Sequence, residues 1–229
     1  MVGKFKEKID CYDYIIGFDL ALHKTGVSIY NIKKKKFTQY DMIISKGTGE
    51  EIFYDLYEKI KEYIWNFWHK DGGRILVIKE ALPAQCGKFT TVKTLQQLAK
   101  AHAALTIAVM ELQKDMRKNI CFYDDDGVHS VSVKSLFSTE ECKKPTKTDI
   151  RNKIVEIYKV DNSKLTDDIS DSMAVIHTLI NRKWNLDIQE EIKKIKKEIK
   201  SLKKESTIKE RKGEIEFLSS IMIKEVKDG

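Results

Sequence analysis

The sequence predicts an α/β fold: a mixed sheet of five strands flanked by helices, with a helical tail at the C-terminus. Three observations lead there. Runs rich in β-branched, aromatic and aliphatic residues recur five times, and longer segments carry apolar residues every three or four positions. The two kinds come in the order β-β-β-α-β-α-β-α-α. With 229 residues and 41% hydrophobic content, the chain can bury one core of ordinary size. The expected division is a domain of residues 1–182 and a lysine-rich helical tail of residues 183–229.

Taken in order, "YIIGFD" (14–19) is an apolar strand that ends in an acid. "VSIYNI" (27–32) and "FTQYDMII" (37–44) follow it, separated by the four lysines 33–36, and read as consecutive strands. From Gly49 to His69 the positions Ile52, Phe53, Leu56, Ile60, Ile64 and Phe67 recur at helical spacing. Gly72-Gly73 ends that helix, and "RILVIKE" (74–80) is a fourth, very apolar strand that again ends in an acid. Thr90 to Lys114 is a long helix opened by Thr-Thr, and "ICFY" (120–123) is the fifth strand. Two helices complete the domain: residues 147–158, with Ile150, Ile154, Val155 and Tyr158 on one side, and residues 167–180, with Ile169, Met173, Ile176 and Ile180.

Beyond Trp184, Ile188, Ile192, Ile195, Ile199 and Leu202 follow alternating spacings of four and three, a short heptad seam that calls for packing on the body or on a partner. Gly213 and the apolar residues between Ile215 and Val226 predict that the tail folds back once.

The four cysteines, Cys11, Cys86, Cys121 and Cys142, form no C-x-x-C pair, which argues against a zinc site or a disulfide framework. No apolar run approaches a membrane span, and "MVGKFKEKIDCYD" is too charged for a signal peptide, so a cytoplasmic protein is expected. Formal net charge is +7, of which residues 182–229, with 14 Lys/Arg and 10 Asp/Glu, hold +4. Such a surface favours polyanionic partners, although lysines also serve solubility alone.

The sharper signal is in the acids. Asp168 and Asp171 lie three residues apart and share a helix face. Capping and the helix dipole account for acids at a helix start, with Asp167 or Asp168 as the N-cap. They do not account for Asp19 and Glu80, each at the end of an apolar strand, where a buried unpaired carboxylate is costly. If those strands are neighbours, their terminal acids meet at one sheet edge, and the helix bearing Asp168 and Asp171 need only pack across it. Four carboxylates without Cys or His are hard oxygen ligands of the kind Mg²⁺ prefers, with Mn²⁺ as substitute. Two such ions ~3.5–4 Å apart carry out phosphodiester hydrolysis.

The motifs "IIGFDLALHKTGVSIYN", "LVIKEALPAQ" and "DISDSMAVIHTL" together resemble the RuvC-type Holliday junction resolvases, of the RNase H-like (retroviral integrase-like) superfamily, over residues 14–182. The long, lysine-rich form looks more like the resolvases of phages of low-GC bacteria than like the cellular enzyme. The resemblance implies a homodimer that binds branched DNA, four-way junctions above all, and makes paired nicks with Mg²⁺, needing no membrane and no nucleotide cofactor. It implies Asp19, Glu80, Asp168 and Asp171 as catalytic metal ligands. Lys134 and Lys147 stand where the family places lysines near the scissile phosphate, and Phe89 stands where an aromatic could stack on an unpaired base. Each also has a plain reading, as a solvated lysine or a core aromatic.

One departure matters. The family's acid follows the apolar pair directly, where this chain has Lys79, and Glu80 comes one residue later. Successive strand residues face opposite sides. Either a twist or bulge turns Glu80 to the metal face, or Lys79 occupies that face and leaves a junction-binding protein with a weakened site. An actin-like ATPase also begins with a strand and an Asp, but it needs a second glycine-rich phosphate loop, which the scattered glycines do not provide. His102 and His177 fall inside helical patterns and read as structural, His23 as a loop residue near Asp19, and Asp124 to Gly127 as a solvated turn.

Overall fold

A computed structural model of the chain describes residues 9–82, 91–123, 127–138, 142–199 and 205–221. Phe89, Cys86, Leu202 and the acidic turn at 124–126 lie outside the described residues. The strands are β1 (Tyr14–Asp19), β2 (Lys24–Asn31), β3 (Lys36–Ile44), β4 (Ile75–Lys79) and β5 (Ile120–Phe122). The helices are α1 (Glu51–Asp71), α2 (Val92–Met116), α3 (Ser130–Leu136), α4 (Lys147–Tyr158), α5 (Asp167–Ile199) and α6 (Glu205–Ile221).

The strands form one mixed sheet in the order β3-β2-β1-β4-β5. β1 pairs antiparallel with β2 and parallel with β4, and β4 pairs parallel with β5. The sheet is buried on both faces. On one side Ile16, Phe18, Ile75 and Val77 pack under α1 and α2. On the other, Ile15, Leu76 and Ile78 pack under α5, with α4 contributing Ile150 and Ile154. Double burial explains why β4 is apolar at every position before Lys79.

Two glycines set how closely α5 approaches. A Cβ on Gly17 would stand 2.6 Å from Ile176 Cγ1 and 2.7 Å from the Ser172 carbonyl oxygen, and one on Gly26 would collide with the backbone at Asp168. Between them the Ser172 hydroxyl donates to the Ile169 carbonyl at 2.7 Å and shares a hydrogen bond with the Ser28 hydroxyl at 3.0 Å, which satisfies a buried polar pair at the contact. The helix therefore lies directly on β1 and β2, and its N-terminal turn ends over the C-terminal end of β1.

Two expectations change. α5 continues without a break through Trp184 to Ile199, burying Ile192 and Ile195 of the heptad seam. Gly213 is not the point of reversal, because it lies inside α6, whose Arg211 already reaches Glu198 of α5 at 3.3 Å. α3 was not signalled, since the alternating "SVSVKSL" has no helical period, yet Val133 and Phe137 anchor it in the core. Among the described residues, no helix is long and apolar enough to cross a membrane.

Candidate active site

Because β1 and β4 run parallel, with Phe18 opposite Lys79, their next residues, Asp19 and Glu80, leave the sheet at the same level and on the same face. Both line a cleft of about 300 Å³ shared with Ser130 and Lys134 of α3, Thr146 and Lys147 at the start of α4, and Asp171 and Val175 of α5. The backbone fixes these positions. The Ala21–Thr25 turn is closed by the Thr25 hydroxyl, which donates to the Ala21 carbonyl at 2.7 Å, just after Asp19. Beyond β4, the Val128 N–H donates to the Lys79 carbonyl at 2.9 Å and the Ala81 N–H to the Val128 carbonyl at 2.8 Å. Gly127 makes that approach possible: its φ is 82°, and a Cβ there would stand 2.6 Å from the Lys79 carbonyl oxygen.

Glu80 faces the cleft, as the first alternative has it, but the register alone puts it there. No bulge is needed, because the register puts Glu80 on the α5 face and Lys79 on the other, where its ammonium lies 5.6 Å from the centre of the Phe122 ring. Lys79 is buried beside Phe18 and does not face the cleft. The premise of a site spoiled by that lysine is therefore removed.

The aspartates of α5 are not its caps. Thr166 takes that place, its hydroxyl oxygen accepting from the Ile169 N–H at 3.3 Å. Asp171, one turn further on than Asp167 and Asp168, lines the cleft. Asp168 lies over Gly26 and does not line it, although its charge acts on Asp19 and Asp171. Both lysines expected at the site are there. The Lys147 ammonium donates to Asp171 Oδ2 at 2.6 Å, and Lys134 stands near enough to Glu80 to favour its ionised form. Ser130, which no pattern singled out, also lines the cleft and favours the ionised form of Glu80.

The electrostatics is that of a site short of positive charge. Burial, then the charges of Asp171 and Glu80, push the Asp19 carboxyl up to about 8, against the pull of Lys147. Glu80 is raised by burial and by Asp171, and Asp171 by burial despite its bond to Lys147. Burial depresses Lys147, but Asp171 outweighs it and holds the ammonium above its ordinary value. An all-carboxylate donor set at the rim of a water-accessible cleft fits a hard divalent cation. Among the described residues no group of three or more His, Cys, Asp or Glu side chains is drawn together tightly enough to enclose an ion, and Asp171 is instead held by Lys147.

No family model and no curated protein sequence matches the chain. Solved structures do. RuvC of Thermus thermophilus in complex with a Holliday junction substrate superposes with a TM-score of 0.52 at 12% identity, covering 72% of this chain and 90% of that one. The T. thermophilus RuvC structure gives the same TM-score and identity, over 72% and 92%. The yeast mitochondrial Holliday junction resolvase matches at 12% identity over 72% and 76%, with a TM-score of 0.46. The chain has the RNase H-like fold of the RuvC resolvases.

Proposed function

We propose that the chain is a cytoplasmic endonuclease that uses divalent metal, binds four-way and other branched DNA as a homodimer, and resolves it by paired phosphodiester nicks. The observation that carries this reading is the meeting of Asp19, Glu80 and Asp171 in one cleft rimmed by Lys134 and Lys147, on a fold shared with RuvC bound to a Holliday junction substrate. Two Mg²⁺ or Mn²⁺ ions, when bound, would supply an activated water and stabilisation of the leaving oxygen. Asp19, Glu80 and Asp171 would hold the ions, with Asp19 central among them and Asp168 the outermost carboxylate. Lys147 is paired with Asp171, and would be available to the scissile phosphate where a cation held that carboxylate, with Lys134 on the Glu80 side. Recognition rests on shape and phosphate rather than on base edges.

The homodimer has a candidate surface of its own. Ala99, Ala103, Ile107 and Met110 form a stripe of exposed residues along α2, with Ile107 41% and Met110 59% exposed. A second copy of the same helix is the partner that fits a self-complementary stripe. The tail, through α6 and the end of α5, assists dimerisation or grip on DNA. Removing residues 205–229 therefore lowers junction affinity or the dimer fraction in sedimentation; no change in either would remove the tail from the mechanism.

The reading is tested with Glu80→Gln and Asp171→Asn. Both variants are expected to bind a synthetic junction as well as the wild type and to lose metal-dependent nicking by at least a hundredfold. Full cleavage by either one refutes the assignment.

A further inference from the structure

The edge of the sheet opposite the cleft gathers a dense cluster of positive charge. Register fixes what gathers there: Tyr14 pairs with Asn31 and with Ile75, Asn31 with Lys36, and Ile75 with Ile120. Three connections therefore emerge side by side, the β2–β3 turn at 33–36, the α1–β4 connection at 70–74 and the α2–β5 connection at 114–118. Together they hold nine Lys/Arg and two Asp. Counting Asp13, which takes Lys33 at 3.6 Å, the net is +6 against +7 for the whole chain. The remainder sums to +1, made of +4 in residues 182–229 and −3 in the rest of the chain.

The ridge crosses five strands, or ~19 Å at ~4.8 Å per strand, and lies ~20 Å along β1 from Asp19. Lys33 to Lys36, Arg117 and Lys118 are all exposed, and Lys33 is paired only loosely, with its side chain 84% exposed. Among the described residues, none of the large exposed hydrophobic side chains, Ile44, Tyr54, Val92, Ile107, Met110 and Ile157, belongs to these three connections, although Ile157 precedes Tyr158, which packs on Phe37 beside the β2–β3 turn. A protein-binding surface has an apolar core and a membrane-binding surface an apolar anchor. A ridge of cations with neither matches the phosphate backbone of duplex nucleic acid, which binds by counterion release.

We infer that this edge is a second DNA-binding surface, which holds the phosphate backbone of a duplex segment other than the one in the cleft. The inference rests on the reading of the chain as a DNA enzyme and deepens it. A duplex on the ridge and a strand in the cleft are separated by the width of the sheet, so the ridge holds an arm or a neighbouring duplex and does not affect the chemistry.

The test uses the full chain with two variants outside the cleft, one with Lys33, Lys34, Lys35 and Lys36 all changed to Ser, the other with Arg117→Ser and Lys118→Ser. Affinity for a linear duplex and for long-armed and short-armed four-way junctions is measured against salt concentration, together with nicking at saturating protein. The fourfold variant is expected to lose roughly 3 from the slope of log K on log salt, since each lost phosphate contact removes ~0.9, and at least tenfold in affinity for duplex and long-armed junction. The double variant loses proportionately less, short-armed junctions are least affected, and saturated nicking is unchanged. Unchanged slopes in both variants overturn the inference while leaving the nuclease reading intact; absence of any DNA binding by the wild type overturns both. Vesicles of anionic phospholipid form the control arm, and ridge-dependent binding to them without ridge-dependent binding to duplex also overturns the inference.

Discussion

Replacing Asp19 with Asn should make the metal-free protein more stable and catalytically inert. The Asp19 carboxyl is pushed up to about 8 from an ordinary 3.8, by burial first and by its acidic neighbours second. The sign follows from linkage. Below pH 3.8 the carboxyl is protonated in both folded and unfolded chains, and folding carries no penalty. As pH rises through 3.8 the unfolded chain ionises while the folded one does not, so stability falls until about pH 8 and is level above it. At pH 7 that penalty is at most roughly 4 kcal/mol. Lys147 and the other carboxylates readjust when Asp19 is replaced, so about half, roughly 2 kcal/mol, should be recovered, or about 4–8 °C in Tm for a chain of this size. The assay is thermal unfolding in chelator and then in excess Mg²⁺, at several pH values. The Asn variant should melt above the wild type at pH 7, the gap should close toward pH 4, and added Mg²⁺ should stabilise the wild type far more than the variant. An Asn variant that melts below the wild type in chelator, or that keeps the full response to Mg²⁺, would refute the reasoning.

Other consequences follow from the packing. Lys79→Glu should not strengthen the cleft, because that side chain faces Phe122 on the other side of the sheet; burying a carboxylate there should cost roughly 3 kcal/mol in urea unfolding, with nicking no faster per folded molecule. Gly26→Ala should lift the start of α5 off β2, costing about 2–3 kcal/mol and most of the cleavage, whereas a variant as stable and active as the wild type would contradict the close approach. His102 is buried, its Nδ1 has no hydrogen-bond partner among the described residues, and burial then Lys79 hold it down at about 4. Its depressed value lowers stability as pH falls from 6.5 toward 4, so His102→Gln should gain roughly 2 kcal/mol on the wild type between pH 7 and pH 5 in paired urea titrations.

Much of this arrangement was legible in the sequence. The three opening strands, α1, β4, α2 and α4 lie close to where apolar periodicity puts them, and the acids that end β1 and β4 already pointed to one sheet edge. What was not legible depended on packing between distant segments. β4 is buried on both faces, so its hydrophobicity carries no alternation from which the phase of Lys79 and Glu80 could be read; only the register with β1 assigns their faces. Thr166 displaced the aspartates as cap of α5, a choice that local propensity leaves open between Thr and Asp. The bond from Lys147 to Asp171 joins the starts of two helices 24 positions apart, and no spacing rule reaches that far. In the same way, the separation of Asp168 from the cleft follows from the contact between its backbone and Gly26, which the helix face shared with Asp171 does not reveal.

The most direct test of the central claim is nicking of a synthetic four-way junction, with a linear duplex of the same sequence as control, in Mg²⁺ and in chelator. The account predicts metal-dependent cuts at paired, symmetric positions in the junction, none in the duplex and none from Asp19→Asn. Junction binding with no cutting by the wild type in Mg²⁺ or Mn²⁺, or cutting that persists in Asp19→Asn, would contradict it.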